Sequence, residues 1–389
     1  MYAIVIGASK ESVYAMKQAQ KRGMKVLAFD GDKDAEGLQY AEEAYVVDIR
    51  NPENIYKILD EKKITPEEML VLPVPIGRYL ISTGSVNDHY DLPGVRRETT
   101  EICTDKWLFH EVLSKAGLRN IWCKLLKEGE RAGEPVSYPF IVKPRYGAGS
   151  RQVLSISNEE EWQAFANDMP FSEDFILEDM VEGTEYGMDG MVVNGEFHLI
   201  LARKKLITPP PYRQCVGYIS VTPNKENEEF LMRLQTFMQR LTETIKLQNG
   251  IVHADLMVNH KETFVIEMSA RPSGHRLHDL FTPMVTRVDM INEFINLALK
   301  EDIRLEAANT DKVYMIRYFD IEKEVKRIPE RTELYATYPL LSYACNLQPG
   351  KVDIVKDGHT LMERGYFIVE GETEQEVCKI ADDILREFV

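Results

Sequence analysis

The sequence lacks the long apolar runs, low-complexity segments and fixed-period repeats that are typical of membrane, disordered and repeat proteins. Its 389 residues include only five cysteines, widely spaced and without a C-x-x-C pair. That pattern argues against a disulfide framework and favours free thiols in a reducing cytoplasm. Residues 2–6 read as a strand, and no basic segment precedes an apolar one, so we expect no signal peptide. The sequence therefore predicts a cytoplasmic globular protein.

Basic residues are in the minority, with 47 Lys and Arg against 63 Asp and Glu and a net charge of -16. Nucleic-acid backbones are bound by clustered Lys and Arg, so this balance argues against a nucleic-acid partner. A pocket for a single nucleotide stays compatible with it, because such a pocket needs only a few local cations. The hydrophobic fraction of 44% and the charged fraction of 28% are ordinary for a globular protein.

Several signatures of nucleotide binding and catalysis are missing. The first loop, residues 7–10, resembles a nucleotide-binding turn but has no G-x-G-x-x-G pattern, so a tight strand-to-helix turn is favoured over a dinucleotide site. The sequence also has no G-x-S-x-G or Cys–His signature. We therefore expect chemistry that needs no protein nucleophile.

Length and pattern predict two or three domains of α/β and α+β class. Over the first hundred residues, short apolar strands alternate with amphipathic helices, which predicts a parallel sheet with crossover helices. The pattern changes at Thr104, which we expect to be the N-cap of a new helix. Two strands, residues 251–258 and 263–268, predict a hairpin around residues 259–262, and a smaller region of strands follows Asp311.

Two lysines stand where a phosphate could be bound. Lys106 opens the predicted helix, although a lone lysine there is more often a surface residue. Lys143 ends the apolar strand 140–142 and precedes the glycine-rich segment 147–151, whose backbone N–H groups could approach an anion closely. The alternative for that segment is a plain hairpin turn. It is not a Walker A loop, because no G-K-[ST] follows.

Acidic residues follow or interrupt apolar strands at two places. The strand 175–177 runs into Glu178 and a turn, and the next strand begins near Glu185, where a carboxylate could accept hydrogen bonds from ribose hydroxyls; a solvated acidic hairpin is the alternative. Asp255 and Glu267 lie within the two apolar strands of the hairpin. Because buried carboxylates are costly unless they bind a cation, this pair favours Mg²⁺. The alternative is neutralisation by Arg271 and Arg276.

Taken together and in this order, these motifs resemble the ATP-grasp superfamily of carboxylate–amine and carboxylate–thiol ligases. The resemblance extends from the N-terminal region to about residue 300. Within the superfamily, the chain most resembles the branch of L-amino-acid ligases and carbamoyl-phosphate-synthase-like proteins. It implies an N-terminal parallel-sheet domain (pre-ATP-grasp) over residues 1–103 and a two-lobed ATP-grasp domain over 104–306. It further implies a mobile lid at roughly 118–187 and a C-terminal α+β lobe over 307–389.

The resemblance also implies which residues bind the nucleotide. Lys106 and Lys143 would hold the α- and β-phosphates; Gly147, Gly149 and Ser150 would belong to the loop that closes over them; Glu178, Met180 and Val181 would form the hinge that reads the adenine edge; and Glu185 would bind the ribose.

For the metal, the resemblance implies that Asp255 and Glu267 carry one or two Mg²⁺ ions, with Mn²⁺ as a substitute. The family usually has asparagine two residues after the second carboxylate, where this chain has Ser269. A hydroxyl is a poorer ligand, so the second ion is in doubt. Arg271 would stabilise the phosphate being transferred.

The implied reaction has two steps: ATP phosphorylates a carboxylate, and an amine then attacks the acyl phosphate to give an amide. His253, on the same strand face as Asp255, could orient the substrate or transfer a proton, or could be a core hydrogen-bonding residue. The basic segment 203–213 could contact a carboxylate substrate or be a solvated strand end.

Three functions stay open: an amide- or peptide-forming ligase, a bicarbonate-using carboxylase and a non-catalytic ATP-binding protein. We expect as partners ATP, a small carboxylate and an amine, with neither nucleic acid nor membrane. A homodimer stays open.

Overall fold

The structure, a computed structural model, describes residues 1–130, 137–147, 152–168, 173–209, 213–355 and 357–389. Gly149 and Ser150, two residues of the expected phosphate loop, lie outside these ranges. Within them, no helix combines the length and the apolar character needed to cross a membrane.

The N-terminal region is a four-stranded parallel sheet in the order β3-β2-β1-β4. Its elements are β1 (Tyr2–Ile6), α1 (Val13–Lys21), β2 (Lys25–Asp30), β3 (Glu43–Val46), α2 (Glu53–Glu61), β4 (Met69–Val71) and α3 (Leu80–His89). The expected parallel sheet is thus confirmed. The first loop is a tight turn: Gly7 has a φ of +89°, and a Cβ there would lie 2.5 Å from the Ile76 side chain.

Two helices lead out of this region, α4 (Arg97–Thr104) and α5 (Lys106–Lys115). The prediction that Thr104 caps the second helix is wrong. Thr104 ends α4 and its hydroxyl donates to the carbonyl of Thr100 at 2.8 Å, whereas the Asp105 carboxylate accepts from the backbone N–H of Trp107 at 3.0 Å. An aspartate is an equally good N-cap, and here it alone has the extended backbone that a cap needs.

A small antiparallel sheet follows, in the order β5-β8-β6-β7. Its strands are β5 (Cys123–Leu126), β6 (Phe140–Pro144), β7 (Leu154–Ile156) and β8 (Phe175–Asp179), and the helix α6 (Glu159–Asp168) connects β7 to β8. Phe140, Trp162 and Phe175 pack between the sheet and the helix as a separate core. The sheet falls within residues 118–187, for which the mobility of a lid stays a prediction.

A second, larger sheet follows, with the strands β9 (Thr184–Val193), β10 (Glu196–Ile207), β11 (Cys215–Val221), β12 (Gly250–Val258) and β13 (Thr263–Ser269). The helices of this region are α7 (Glu228–Thr244), α8 (Thr282–Thr286) and α9 (Met290–Leu299). The expected hairpin at residues 259–262 is confirmed, since β12 and β13 pair antiparallel. Alternate residues of β12 face opposite layers: Val252 packs in the core that contains α7, and Ile251 in the core that α9 shares with the N-terminal region. His253 and Asp255 follow Ile251 on the same face of β12 by this alternation.

The remaining elements are β14 (Val313–Tyr318), β15 (Lys323–Val325), α10 (Arg331–Thr337), β16 (Leu340–Cys345), β17 (Gly350–Val352), α11 (Gly358–Arg364), β18 (Gly365–Gly371) and α12 (Glu374–Arg386). Three of these strands extend the larger sheet, whose order is β13-β12-β9-β10-β11-β14-β18-β16. One sheet therefore continues across residue 307, and the division of the chain at that point stays a prediction.

Candidate active site

A cleft separates the small sheet from the larger sheet. Most of the residues expected to bind nucleotide or metal line it, namely Lys106, Lys143, Gly147, Glu178, Met180, Val181, Glu185, Asp255 and Glu267. Ile141, Val153, Met257, Phe264 and Ile266 also line it and give one part an apolar wall. Among the described residues, His253, Ser269 and Arg271 stand next to this lining rather than within it.

The two predicted phosphate-binding lysines lie on the same side of the cleft. Lys143, near the end of β6, is only 4% exposed, and its Nζ donates to Glu178 Oε1 at 2.6 Å. Lys106, the first residue of α5, donates from Nζ to the carbonyl oxygen of Gly147 at 2.8 Å. Burial, with repulsion from Lys143, lowers the pKa of Lys106, and attraction to Glu267 opposes this. The two ammonium groups thus form a concentrated positive end of the cleft.

Glu178 forms a buried ion-pair network rather than a solvated hairpin. Its carboxylate lies between Lys143 and Arg119, whose Nη2 donates to Glu178 Oε2 at 2.6 Å. Burial alone would raise the pKa of Glu178, but the two cations outweigh it and lower the pKa to about 2. The side chain of Glu178 is therefore fully engaged, whereas Met180 and Val181, just after β8, contribute to the lining of the cleft.

Glu185, at the start of β9, lies across the cleft and pairs with two cations. Lys205 Nζ donates to Glu185 Oε1, and Arg213 Nη2 lies 3.9 Å from Glu185 Oε2. The Glu185 side chain is 15% exposed, so one edge of it stays open to the cleft.

Asp255 and Glu267 occupy directly opposed positions on β12 and β13, because a β-bulge between Asp255 and Leu256 shifts the register by one residue. Lys205 donates from Nζ to Asp255 Oδ2 at 2.8 Å. The other oxygen, Oδ1, is buried and has no hydrogen-bond partner among the described residues. Burial would raise the pKa of Asp255, but Lys205 and then His253 lower it, which keeps the carboxylate charged.

Among the described residues, the two arginines considered as partners of this carboxylate pair make their direct bonds to other groups. Arg276 Nη1 lies 2.6 Å from Asp279 Oδ2, and Arg271 Nη1 donates to the carbonyl of Pro272 at 2.6 Å. The buried cation next to Asp255 is Lys205 instead. Arg271 is half-buried, and this burial lowers its pKa, while attraction to Glu11 and Glu267 acts in the opposite direction.

His253 is held from behind by a fully buried acid. Its Nδ1 lies 3.2 Å from Asp189 Oδ1, and its Nε2 lies 3.8 Å from Asp255 Oδ1. Asp189 in turn accepts hydrogen bonds from both terminal nitrogens of Arg203 and from the hydroxyl of Thr282. Ser269, the last residue of β13, stands opposite His253 in the strand register.

The sequence analysis missed Arg119 and Asp189, and it considered Lys205 only as part of the basic segment 203–213, not as the partner of Asp255 and Glu185. For Lys205 a signal existed. Arg203 and Lys205 alternate with Lys204 on β10, and only Lys204 turns away, to pair with Glu374. A period-two interpretation of this basic segment would have placed two cations on the inner face of the strand. The other two residues depend on contacts that no local pattern reveals.

Comparison with known proteins agrees with this architecture. Residues 136–279 match the family described as ATP-grasp domain, which confirms the resemblance. The chain is 23% identical over 175 residues to D-alanine--D-alanine ligase of Petrotoga mobilis, covering 43% of this chain and 58% of that one. It is 24% identical over 215 residues to the carbamoyl phosphate synthase large chain of Thermotoga neapolitana, covering 52% of this chain and 18% of that one. The chain thus spans less than two thirds of either relative.

Solved structures resemble the chain over its full length. The L-amino acid ligase from Bacillus licheniformis superposes with a TM-score of 0.78 at 17% identity, covering 100% of this chain and 97% of that one. Likeness at this identity concerns the fold. The expected fold, an N-terminal parallel sheet followed by a two-lobed ATP-grasp domain, is therefore confirmed.

Proposed function

We propose that this protein is an ATP- and Mg²⁺-dependent ligase that phosphorylates a carboxylate and joins the acyl phosphate to an amine, forming an amide. The observation that carries the proposal is the charge arrangement of one cleft. Lys106 and Lys143 stand on one wall, and the opposed Asp255 and Glu267 stand on the other. This arrangement suits a polyphosphate: the lysines can bind its oxygens directly, and the carboxylates can bind them through a metal ion.

The rest of the cleft suits a nucleotide. The apolar wall, which includes Met257, Phe264 and Ile266, can cover an adenine ring, and the backbone after β8 at Met180 and Val181 can hydrogen-bond its edge. Glu185 stands where its carboxylate can accept from ribose hydroxyls once its lysine partner shifts.

The residues present fit a magnesium ion. Asp255 Oδ1 is a buried anionic oxygen that has no hydrogen-bond partner in the described part of the chain, which is the arrangement a cation relieves. No group of three or more His, Cys, Asp or Glu side chains that could hold a metal occurs within the described ranges. Mg²⁺ needs no such cage, because one or two carboxylates with substrate phosphates and water complete its shell. When bound, it neutralises charge on the phosphates.

Two further side chains suit the acyl-transfer steps. Arg271 can stabilise the phosphate during its transfer to the substrate carboxylate, since a guanidinium binds phosphoryl oxygens in pairs. His253, fixed by Asp189, can orient the substrate or accept the proton that the amine loses. No covalent intermediate with the protein is required, because the acyl phosphate is already the activated species.

The test is release of phosphate from ATP and Mg²⁺ across a panel of amino-acid pairs, with and without bicarbonate. Release that requires an amino acid, with an amide or dipeptide mass, supports the ligase. Release that requires bicarbonate alone would reassign the protein to carboxylation. Tight ATP binding without release under any condition would favour a binding protein.

Variants of the carboxylate pair sharpen this test. Asp255→Asn and Glu267→Gln are each expected to lower the rate of phosphate release by roughly 100-fold, because each removes a charge that positions the metal against the transferred phosphate. Glu262→Gln is the matched control, since Glu262 is an exposed carboxylate at the turn of the same hairpin. Equal losses in all three variants would argue against a metal role for the pair.

A further inference from the structure

Arg119 is a buried guanidinium at the junction of the two sheets, in the loop between α5 and β5, and it is not part of the motifs described above. It is 2% exposed. Its Nη2 donates to Glu178 Oε2 on the small sheet at 2.6 Å, and its Nε donates to the carbonyl of Val265 on the larger sheet at 3.3 Å. Its guanidinium also lies over the ring of Phe264, 5.0 Å from the centroid. A long cation buried with this many partners holds one orientation.

The charges around Glu178 do not cancel. One carboxylate faces two cations, Lys143 and Arg119, each at 2.6 Å from a different oxygen. The fourth member, His110, adds no charge: burial and then the neighbouring Arg119 lower its pKa to about 4, so at neutral pH its Nδ1 accepts from Arg119 Nη1 at 2.8 Å. The network therefore carries a net charge of about +1 within the wall of the cleft.

Without Arg119 the same wall would be neutral. Lys143 and Glu178 would form a closed, buried one-to-one ion pair, and a phosphate would have to compete with the carboxylate for the lysine. With Arg119 in place, the negative charge of Glu178 is compensated from behind. The positive charge of Lys143 is then left for an anion in the cleft.

We infer that Arg119 is a positioning residue for the phosphate groups of a nucleoside di- or triphosphate: by neutralising Glu178, it leaves Lys143 free to bind them. This inference rests on the nucleotide binding in the proposed function and adds to it a residue that contacts no ligand itself. It also predicts a chemical selectivity. Arg119 contributes to the affinity for phosphates and not to the affinity for the adenosine that carries them.

Isothermal titration of ADP and, separately, of adenosine tests the inference. Arg119→Met is expected to raise the Kd for ADP about tenfold or more, equivalent to about 1.4 kcal/mol, with the adenosine Kd within about twofold. Arg119→Lys keeps the charge and is expected to stay close to wild type. Arg97→Met removes an arginine from an exposed pair with Glu101 and is the control without effect.

A double variant separates charge from packing. Arg119→Met with Glu178→Gln removes one cation and one anion, which returns the net charge of the network to about +1, so the ADP Kd is expected to recover to within about threefold of wild type. If Arg119 had only a structural role, the double variant should bind ADP no better than Arg119→Met, because it removes more of the buried network. If Arg119→Met alone does not fold, the lysine and double variants carry the comparison, with circular dichroism as the check of folding.

The outcomes are distinct for the two proposals. Wild-type protein that does not bind ADP overturns the proposed function and this inference with it. Wild-type binding of ADP that is unchanged in Arg119→Met, or reduced equally for ADP and adenosine, overturns the inference alone. So does a double variant that binds ADP no better than Arg119→Met.

Discussion

Replacing Lys205 by methionine tests how the acidic side of the cleft is held together. The Lys205 side chain is 7% exposed, and its Nζ donates both to Asp255 Oδ2 at 2.8 Å and to Glu185 Oε1. Burial would lower the pKa of this lysine, but the two carboxylates raise it well above its ordinary value, so it is charged at neutral pH. One buried ammonium thus compensates two largely buried acids.

The expected cost follows from this geometry. Removing one partner of a buried ion pair costs about 3–5 kcal/mol of folding free energy, because the remaining charge is left uncompensated. Methionine keeps a similar unbranched stem, so little of the loss should come from packing. Lys204→Met is the matched control. Lys204 directly precedes Lys205 on β10, its side chain is 33% exposed, and its Nζ lies 2.6 Å from Glu374 Oε1. A partly exposed pair of that kind contributes at most about 1 kcal/mol.

The assay is thermal and urea unfolding at neutral pH, with and without Mg²⁺. We expect Lys205→Met to lose about 3 kcal/mol or more relative to Lys204→Met, and Mg²⁺ to restore part of that loss, since it can bind the uncompensated carboxylates. At 100 times its Kd, an ion that binds only the folded protein adds about 2.7 kcal/mol. Equal stabilities of the two lysine variants, or an equal response of both to Mg²⁺, would refute this account of the cleft.

Two further predictions concern the cleft wall and the helix that precedes it. Because the pKa of Glu178 is lowered to about 2, its ionised form stabilises the protein above pH ~4.5 and this contribution is lost as pH falls towards 2. Urea unfolding should therefore show a stability gap of about 3 kcal/mol between wild type and Glu178→Gln at pH 7 that narrows below pH ~4.5; a constant gap would contradict it. Asp105→Ala should cost about 1–2 kcal/mol, since Asp105 caps α5 and binds Arg145, whereas Thr104→Ala should change stability by less than about 0.5 kcal/mol; equal effects on the melting temperature would argue against this capping assignment.

The parts of the fold that follow from local periodicity could be predicted. Alternation in the first hundred residues gave a parallel sheet, and two apolar strands around a polar turn gave the hairpin. Sequence sufficed here because the elements involved are neighbours in the chain. The register of the two carboxylates could not be predicted in this way: continuous pairing from the turn would place Asp255 opposite Ile266, and a β-bulge between Asp255 and Leu256 places it opposite Glu267 instead.

Contacts between distant segments could not be predicted in the same way. Arg119 and Glu178 are 59 residues apart, and each in isolation is typical of a surface residue. Their pairing depends on how the small sheet docks against β13, which no pattern within either segment encodes. The error at Thr104 has a different cause. Two good capping residues stand side by side, and the end of α4 at Thr104 decides between them, because it leaves only Asp105 with extended backbone.

Under the proposed function, the acidic side of the cleft has to be stable without a metal and still able to bind one. Two opposed carboxylates would repel each other in a buried hairpin. Glu267 is attracted to Lys106 and Arg271, whereas Lys205 compensates Asp255 and also pairs with Glu185. It does so through only one oxygen of Asp255, while the other stays buried without a hydrogen-bond partner among the described residues. An unpaired buried oxygen costs about 1–3 kcal/mol, so a cation that binds it recovers free energy the folded protein has already spent. Under the proposed function, Lys205 therefore stabilises this side of the cleft before the ion binds, and the unpaired oxygen of Asp255 is left for the ion.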